Sequence, residues 1–202
     1  PRGRAGVDTP PHGCHQGGPQ EVNLLWVCRT DRGMRSRTAV TLWQAMVRPL
    51  LEYASELWWG QVPAYLVEEA ESVQLTFLRG TLGLHANGGG VTNEVVRGET
   101  GCERLQDRWS RLQLGYWRKI FSCAQGRLLR VVAEHRHTEC VLSGGHGWGS
   151  KGWMAGARNT LIRCGLEHYW LSPSLARETH RLAWRRLVYD MVDKVSDEAR
   201  ST

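Results

Sequence analysis

Between residues 37 and 59, apolar side chains recur every third or fourth position, at Val40, Trp43, Val47, Leu50, Leu51, Ala54, Leu57 and Trp58. Successive helical residues turn by about 100°, so this spacing gathers them on one face of an α-helix. Pro49 lacks a backbone donor and its ring crowds the preceding turn, so a bend or a restart is expected there. GQVP then breaks the chain, and Pro63 suits the first turn of a helix over about 63–83, with Leu66, Ala70, Val73 and Phe77 on its face. Glu68, Glu69 and Glu71 lie toward its N-terminal end, where negative charge is favoured. Thr92 is placed to cap a short helix, 93–99, that Gly101 closes. The longest clear amphipathic helix spans about 103–124, with Leu105, Trp109, Leu112, Tyr116 and Ile120 as its stripe, and another covers about 126–138. Two further helices are predicted over about 153–164 and 173–195, the last opened by Pro173 and striped by Trp184, Val188, Met191 and Val195. Apart from a short extended piece around Leu24 to Val27, no strand pattern stands out. The predicted class is all-α, a bundle of about five helices plus a smaller C-terminal helical pair.

Composition divides the chain. Residues 1–20 hold four prolines and five glycines and almost no large apolar side chain, so residues 1–23 are expected to form a disordered tail. Residues 24–142 then form the main bundle, the Gly-rich segment 143–152 a linker, and residues 153–202 the C-terminal pair. With 41% hydrophobic residues the chain can bury a core. It contains no apolar run of about 18 residues and no signal-like start, which predicts an intracellular protein, nuclear or cytoplasmic, without a membrane partner. The six cysteines are widely spaced and form no CxxC pair, as isolated buried thiols would.

Charge sharpens the picture. The net charge is +6, but residues 37–101 carry four arginines against seven glutamates, whereas residues 103–136 carry seven arginines and a lysine against three acids. On the helix 103–124, Arg104, Arg108, Arg111 and Arg118 fall on a ridge roughly 120° from the Trp109 stripe. Arginines in a row suit phosphates, since each planar fork binds two oxygens. The other reading is a solvated basic face that pairs with Glu68, Glu69 and Glu71. Arg177, Arg181 and Arg185 make a second ridge, which either extends a footprint or solubilises a helix. Most of the ten tryptophans sit on predicted core faces, while Trp117 and Trp148 beside basic residues are candidates for base stacking. His135, His137, Cys140 and His146, or His12, Cys14, His15 and Cys28, have the atom types zinc needs, but neither set has the paired short spacings of zinc fingers, so no metal or other cofactor is assigned. Glu52 and Glu56 lie one turn apart, a common surface arrangement. No GxSxG, Walker loop, HExxH or clustered Asp pair occurs, so the residues name no enzyme.

The run RTAVTLWQAMVRPLLEYASELWWG, residues 37–60, followed by AESVQLTFLRGTLGL, residues 70–84, resembles the segment downstream of the polymerase palm in non-LTR (LINE-like) retrotransposon reverse transcriptases. The matching positions are Leu42 and Trp43, Val47 and Pro49, Leu51, Glu52 and Tyr53, Glu56 and Trp58, then Gln74, Phe77, Leu78 and Arg79, with Leu82 and Gly83 after them. RGETGCERLQDRWSRLQLGYWRKI, residues 97–120, and AWRRLVYDMVDKV, residues 183–195, are similar to blocks farther downstream. The resemblance implies a thumb and connection region that grips RNA or an RNA–DNA duplex without reading sequence, beside a palm-containing polypeptide. Arg104, Arg108, Arg111 and Arg118, assisted by Arg127 and Arg130, are then the expected contacts. The family's paired catalytic aspartates have no counterpart, so a non-catalytic C-terminal fragment or degraded copy is expected. The alternative is a structural helical module that binds a protein, or a relic without activity.

Overall fold

The computed structural model describes residues 35–84, 90–143 and 152–201, and among them the fold is all-α. The predicted N-terminal tail, the extended piece at Leu24 to Val27, the bulk of the Gly-rich linker and Trp148 lie outside the described residues.

The first predicted helix is built in pieces: α1 (Ser36–Leu42), a π-helical turn (Trp43–Val47), α2 (Arg48–Glu52) and α3 (Ser55–Trp58). Pro49 explains the π turn. Its ring would collide with the carbonyl four residues back in a regular helix, and widening that turn, so that Arg48 N–H bonds Trp43 O, removes the clash. The helix therefore passes Pro49 and stops only at Tyr53 and Ala54, where Ala54 takes a left-handed φ of 54°. A π turn inserts about one residue, which rotates everything after it by roughly 100°. Leu50, expected in the core, consequently faces solvent; beyond the break at Ala54, Leu57 is half exposed and Trp59 is buried.

After the break come α4 (Ala64–Thr81), α5 (Asn93–Thr100), α6 (Leu105–Phe121) and α7 (Leu128–Leu142). Thr92 caps α5 by accepting from Val95 N, and Gly101 closes it in the left-handed region, both as the sequence predicts. The C-terminal part holds α8 (Trp153–Arg163), α9 (Glu167–Leu171), α10 (Pro173–Glu178) and α11 (Arg181–Ser201). Pro173 opens the short α10, and the chain turns again at Thr179 before the long last helix begins.

α6 is the axis of the molecule. It contacts α3, α4, α7, α8, α10 and α11. Its buried positions, Leu105, Trp109, Ser110, Gln113, Leu114, Trp117, Ile120 and Phe121, span about half its circumference, and the predicted Leu112 and Tyr116 lie at the half-buried margin. One apolar cluster joins Ala39, Val40 and Trp43 to Phe77, Leu78 and Val96, with Trp43 stacked on Phe77 at 4.7 Å. A second joins Leu114, Trp117 and Phe121 of α6 to Leu161, Trp170, Trp184, Val188 and Val192, so helices on both sides of the Gly-rich segment share it.

The paired tryptophans close the seam between α3 and α6. Trp58 and Trp59 lie 5.0 and 5.2 Å from the Trp109 ring, and Trp59 Nε1 donates to Ser110 Oγ at 2.9 Å. Gly60, at φ 83°, brings the backbone against α8: a Cβ on Gly156 would stand 2.4 Å from Trp59 O. Gln113, fully buried in α6, ties the three together, donating to Trp59 O at 2.7 Å and accepting from Thr160 Oγ1 at 2.6 Å.

Candidate nucleic-acid interface

The ridge predicted to meet phosphates is occupied by the protein itself. Because α6 is surrounded, its flanking arginines reach carboxylates and carbonyls on neighbouring helices before they reach solvent. Arg104 bonds Glu94 of α5 at 3.2 Å. Arg108 bonds Glu52 of α2 at 3.0 Å and stands 3.7 Å from Glu103. Arg111 pairs with both Glu103 and Asp193, and its guanidinium lies 4.3 Å from the centre of the Tyr189 ring. Arg118 donates to Thr179 O at the turn between α10 and α11, at 3.0 Å from one of its nitrogens. Arg130 bonds Glu134 at 2.6 Å and Cys123 O at 2.9 Å. Of the six expected contacts, Arg127 alone, exposed at the start of α7, has no such bond among the described residues.

The expectation of a free cationic ridge on α6 is thus corrected. The acids that neutralise it are Glu52, Glu94, Glu103 and Asp193 rather than the anticipated Glu68 and Glu69, while Glu71 turns to Arg97 at 2.8 Å and accepts from Gln106 N in the first turn of α6. These partners come from four different segments, which helical spacing does not connect. A backbone hydrogen bond holds the Glu94 carboxyl below its ordinary range, with the Arg104 guanidinium acting in the same sense against a desolvation effect. Such partly exposed pairs contribute little stability singly, yet they occupy the guanidinium donors.

Trp117 is no stacking platform. It is fully buried, with the rings of Phe121, Trp153 and Trp170 packed within 4.5–6.0 Å. The second basic ridge is different: Arg177 and Arg181 are exposed and have no carboxylate within ion-pair distance among the described residues, and Arg185 meets the Tyr189 ring at 5.5 Å; Arg186, which lies off that ridge, is exposed in the same way.

The metal candidates do not assemble. His135 faces outward toward Glu139, His137 is wedged against Trp170, Cys140 is buried, and the other members lie outside the described residues. Among the described residues no group of three His, Cys, Asp or Glu is placed to hold a metal ion. Cys102, Cys140 and Cys164 are buried, and burial pushes the thiols of Cys140 and Cys164 above their usual range. No described helix is long and apolar enough to cross a membrane.

His137 donates through Nε2 to Trp170 O at 2.8 Å, and its burial lowers the ring's pKa below 6.5 against the opposing pull of that bond. The unfolded chain therefore takes up a proton that the folded state refuses, and stability is expected to fall as pH drops below about 6.5, levelling once the folded ring titrates. Urea midpoints measured between pH 7.5 and 5.5 should show this slope, and His137→Asn should flatten it.

An open groove of about 330 Å³ runs between α7 and α8, lined by Leu57, Leu129, Val132, Ala133 and Trp153, with Arg136 and Glu139 at its rim. Leu57, Leu129 and Val132 are each about half exposed there. Sequence reading missed this apolar face because it assigned Leu57 to the core; the signal that could have found it is the run of Leu128, Leu129, Val131 and Val132, more apolar side chains than one helix face buries. No protein-family model, curated protein or solved structure matches this chain.

Proposed function

We propose that this chain is a non-catalytic helical module that works by docking on another protein, with the apolar groove between α7 and α8 as its contact. The observation that carries this reading is the capture of Arg104, Arg108, Arg111 and Arg118 by acceptors within the fold, which leaves α6 no row of free guanidiniums for a backbone of phosphates. Exposed apolar surface supports it: Leu57, Leu129 and Val132 expose area that costs free energy unless a partner covers it. The resemblance to the post-palm region of LINE-like reverse transcriptases makes a palm-containing polypeptide of such an element the partner to test.

Mixing the chain with such a polypeptide should give a complex in sedimentation velocity, and Leu129→Asp with Val132→Asp should weaken it at least tenfold, the effect of desolvating charge at an apolar contact. Failure of the complex to form removes the proposal. A second reading rests on Arg177, Arg181 and Arg186, exposed and without a carboxylate partner among the described residues, which suit sequence-tolerant contact with RNA or an RNA–DNA duplex. Fluorescence anisotropy over a salt series separates the two. Duplex binding that steepens at low salt and disappears in Arg177→Glu, Arg181→Glu, Arg186→Glu favours polyanion contact; weak binding unchanged by these substitutions favours the protein-docking module.

A further inference from the structure

α10 and α11 both pack on α6, with Ala176 and Trp184 buried in the apolar cluster they share with it. The turn between them is tied to α6 by Arg118, which donates to Thr179 O. The outer surfaces of the two helices therefore point away from α6 on the same side of the molecule. At about 100° per residue, Leu182 and Arg186 lie one turn apart on the side of α11 opposite Trp184 and Val188. Leu182 is 67% exposed, and so, at 68%, is Leu171 at the end of α9; Leu175 of α10 is exposed as well.

Arginines stand among these leucines. Arg177, Arg181, Arg185 and Arg186 are all exposed, and none has a carboxylate within ion-pair distance among the described residues. Glu178 is the one acid in the sequence from 171 to 186, against four arginines, so this surface is cationic. Farther along α11 the outer side turns acidic at Asp190 and Asp193, which sets the edge of the cationic part.

The mixture restricts what can cover it. A phosphate polymer would engage the guanidiniums and leave the leucines in water. An apolar protein surface would cover the leucines and bury guanidiniums beside them, and the centres of protein interfaces are depleted of charge for that reason. The interfacial layer of an anionic bilayer takes both: leucines enter the acyl boundary, while arginine forks meet lipid phosphates with their stems lying along the apolar layer.

We propose that α10 and the first turns of α11 dock on the surface of an anionic phospholipid bilayer, with Leu171, Leu175 and Leu182 inserted and Arg177, Arg181 and Arg186 on the headgroups. This is a peripheral contact, so the expectation of no membrane partner, which rested on the lack of a spanning run, does not bear on it. The surface lies on other helices than the apolar groove, and its test does not depend on the protein-docking function. It shares its arginines with the polynucleotide reading; the leucines tell the two apart.

The test is co-sedimentation of the chain with vesicles of phosphatidylcholine alone or with about 30% phosphatidylserine, at low and high salt, because each basic side chain near such a surface adds attraction that salt screens. Binding to the mixed vesicles should be at least tenfold tighter than to phosphatidylcholine alone and should weaken at high salt. Leu171→Ser, Leu175→Ser and Leu182→Ser together should weaken it at least tenfold further. The comparison of the two vesicles uses the unmodified chain, so it reads the proposal whether or not the variant folds. Absence of binding to the mixed vesicles overturns the proposal, and so does binding that the serine substitutions leave unchanged, which is adsorption by charge alone. Binding to a duplex RNA without binding to vesicles also overturns it and assigns the arginines to a polynucleotide.

Discussion

Gly156→Ala is expected to lower stability by about 3–4 kcal/mol, as overpacking against unyielding backbone does at the upper end of its range. The added methyl would stand 2.4 Å from Trp59 O, and Trp59 cannot retreat. Its indole is held by Ser110 and packed against Trp109, and its carbonyl already accepts from Gln113. Gly60 carries the chain past the contact at φ 83°, and a Cβ there would itself stand 2.6 Å from Gly156 O, so the two backbones approach closely on that side as well. Thermal or urea unfolding reads the loss, which for a chain of this size is a fall in Tm of roughly 6–15 °C. Gly115→Ala is the control. It sits exposed in α6 with nothing within 4 Å of the added carbon, and helix propensity alone predicts a gain of about 0.5–1 kcal/mol. Equal behaviour of the two variants would mean that the α3 to α8 seam is looser than the structure has it.

Trp117→Ala should cost about 3–5 kcal/mol, the range for truncating a buried aromatic. Its ring is enclosed by Phe121, Trp153, Trp170 and His137, side chains from four helices, so the cavity left behind is bounded by elements that cannot close on it together. Its Nε1 has no hydrogen-bond partner among the described residues, so Trp117→Phe is expected to cost much less: the unsatisfied donor leaves with the indole. Denaturation of both variants checks the order. A Trp117→Ala chain as stable as the parent would return this residue to a surface role.

The existence and type of most helices were legible because each rests on local signals. Thr92 and Gly101 bound α5, Pro173 opens a helix, and the stripe through Leu105, Trp109 and Ile120 marks α6, all through interactions spanning four residues or fewer. Pro49 was legible as a perturbation but not in its consequence. Whether a proline bends a helix, ends it or is absorbed by a π turn depends on what the following face must meet, here the Trp109 ring.

The candidate interface was legible only in part, and the reason is electrostatic. A row of arginines at helical spacing shows that guanidiniums share a face; it does not show what stands opposite. Glu52 is separated from Arg108 by 56 residues and Asp193 from Arg111 by 82, separations at which no spacing rule operates.

By itself, the sequence determined the all-α class, the caps and most of the side chains able to build a core, because backbone hydrogen bonding and amphipathic period act within a few residues. The tertiary structure alone decided that α6 lies at the centre rather than the surface, that its arginines bond inward, and that Leu57 and Leu129 remain uncovered. Burial and ion pairing are properties of which surfaces meet, and those meetings are set by the packing of helices distant in the chain.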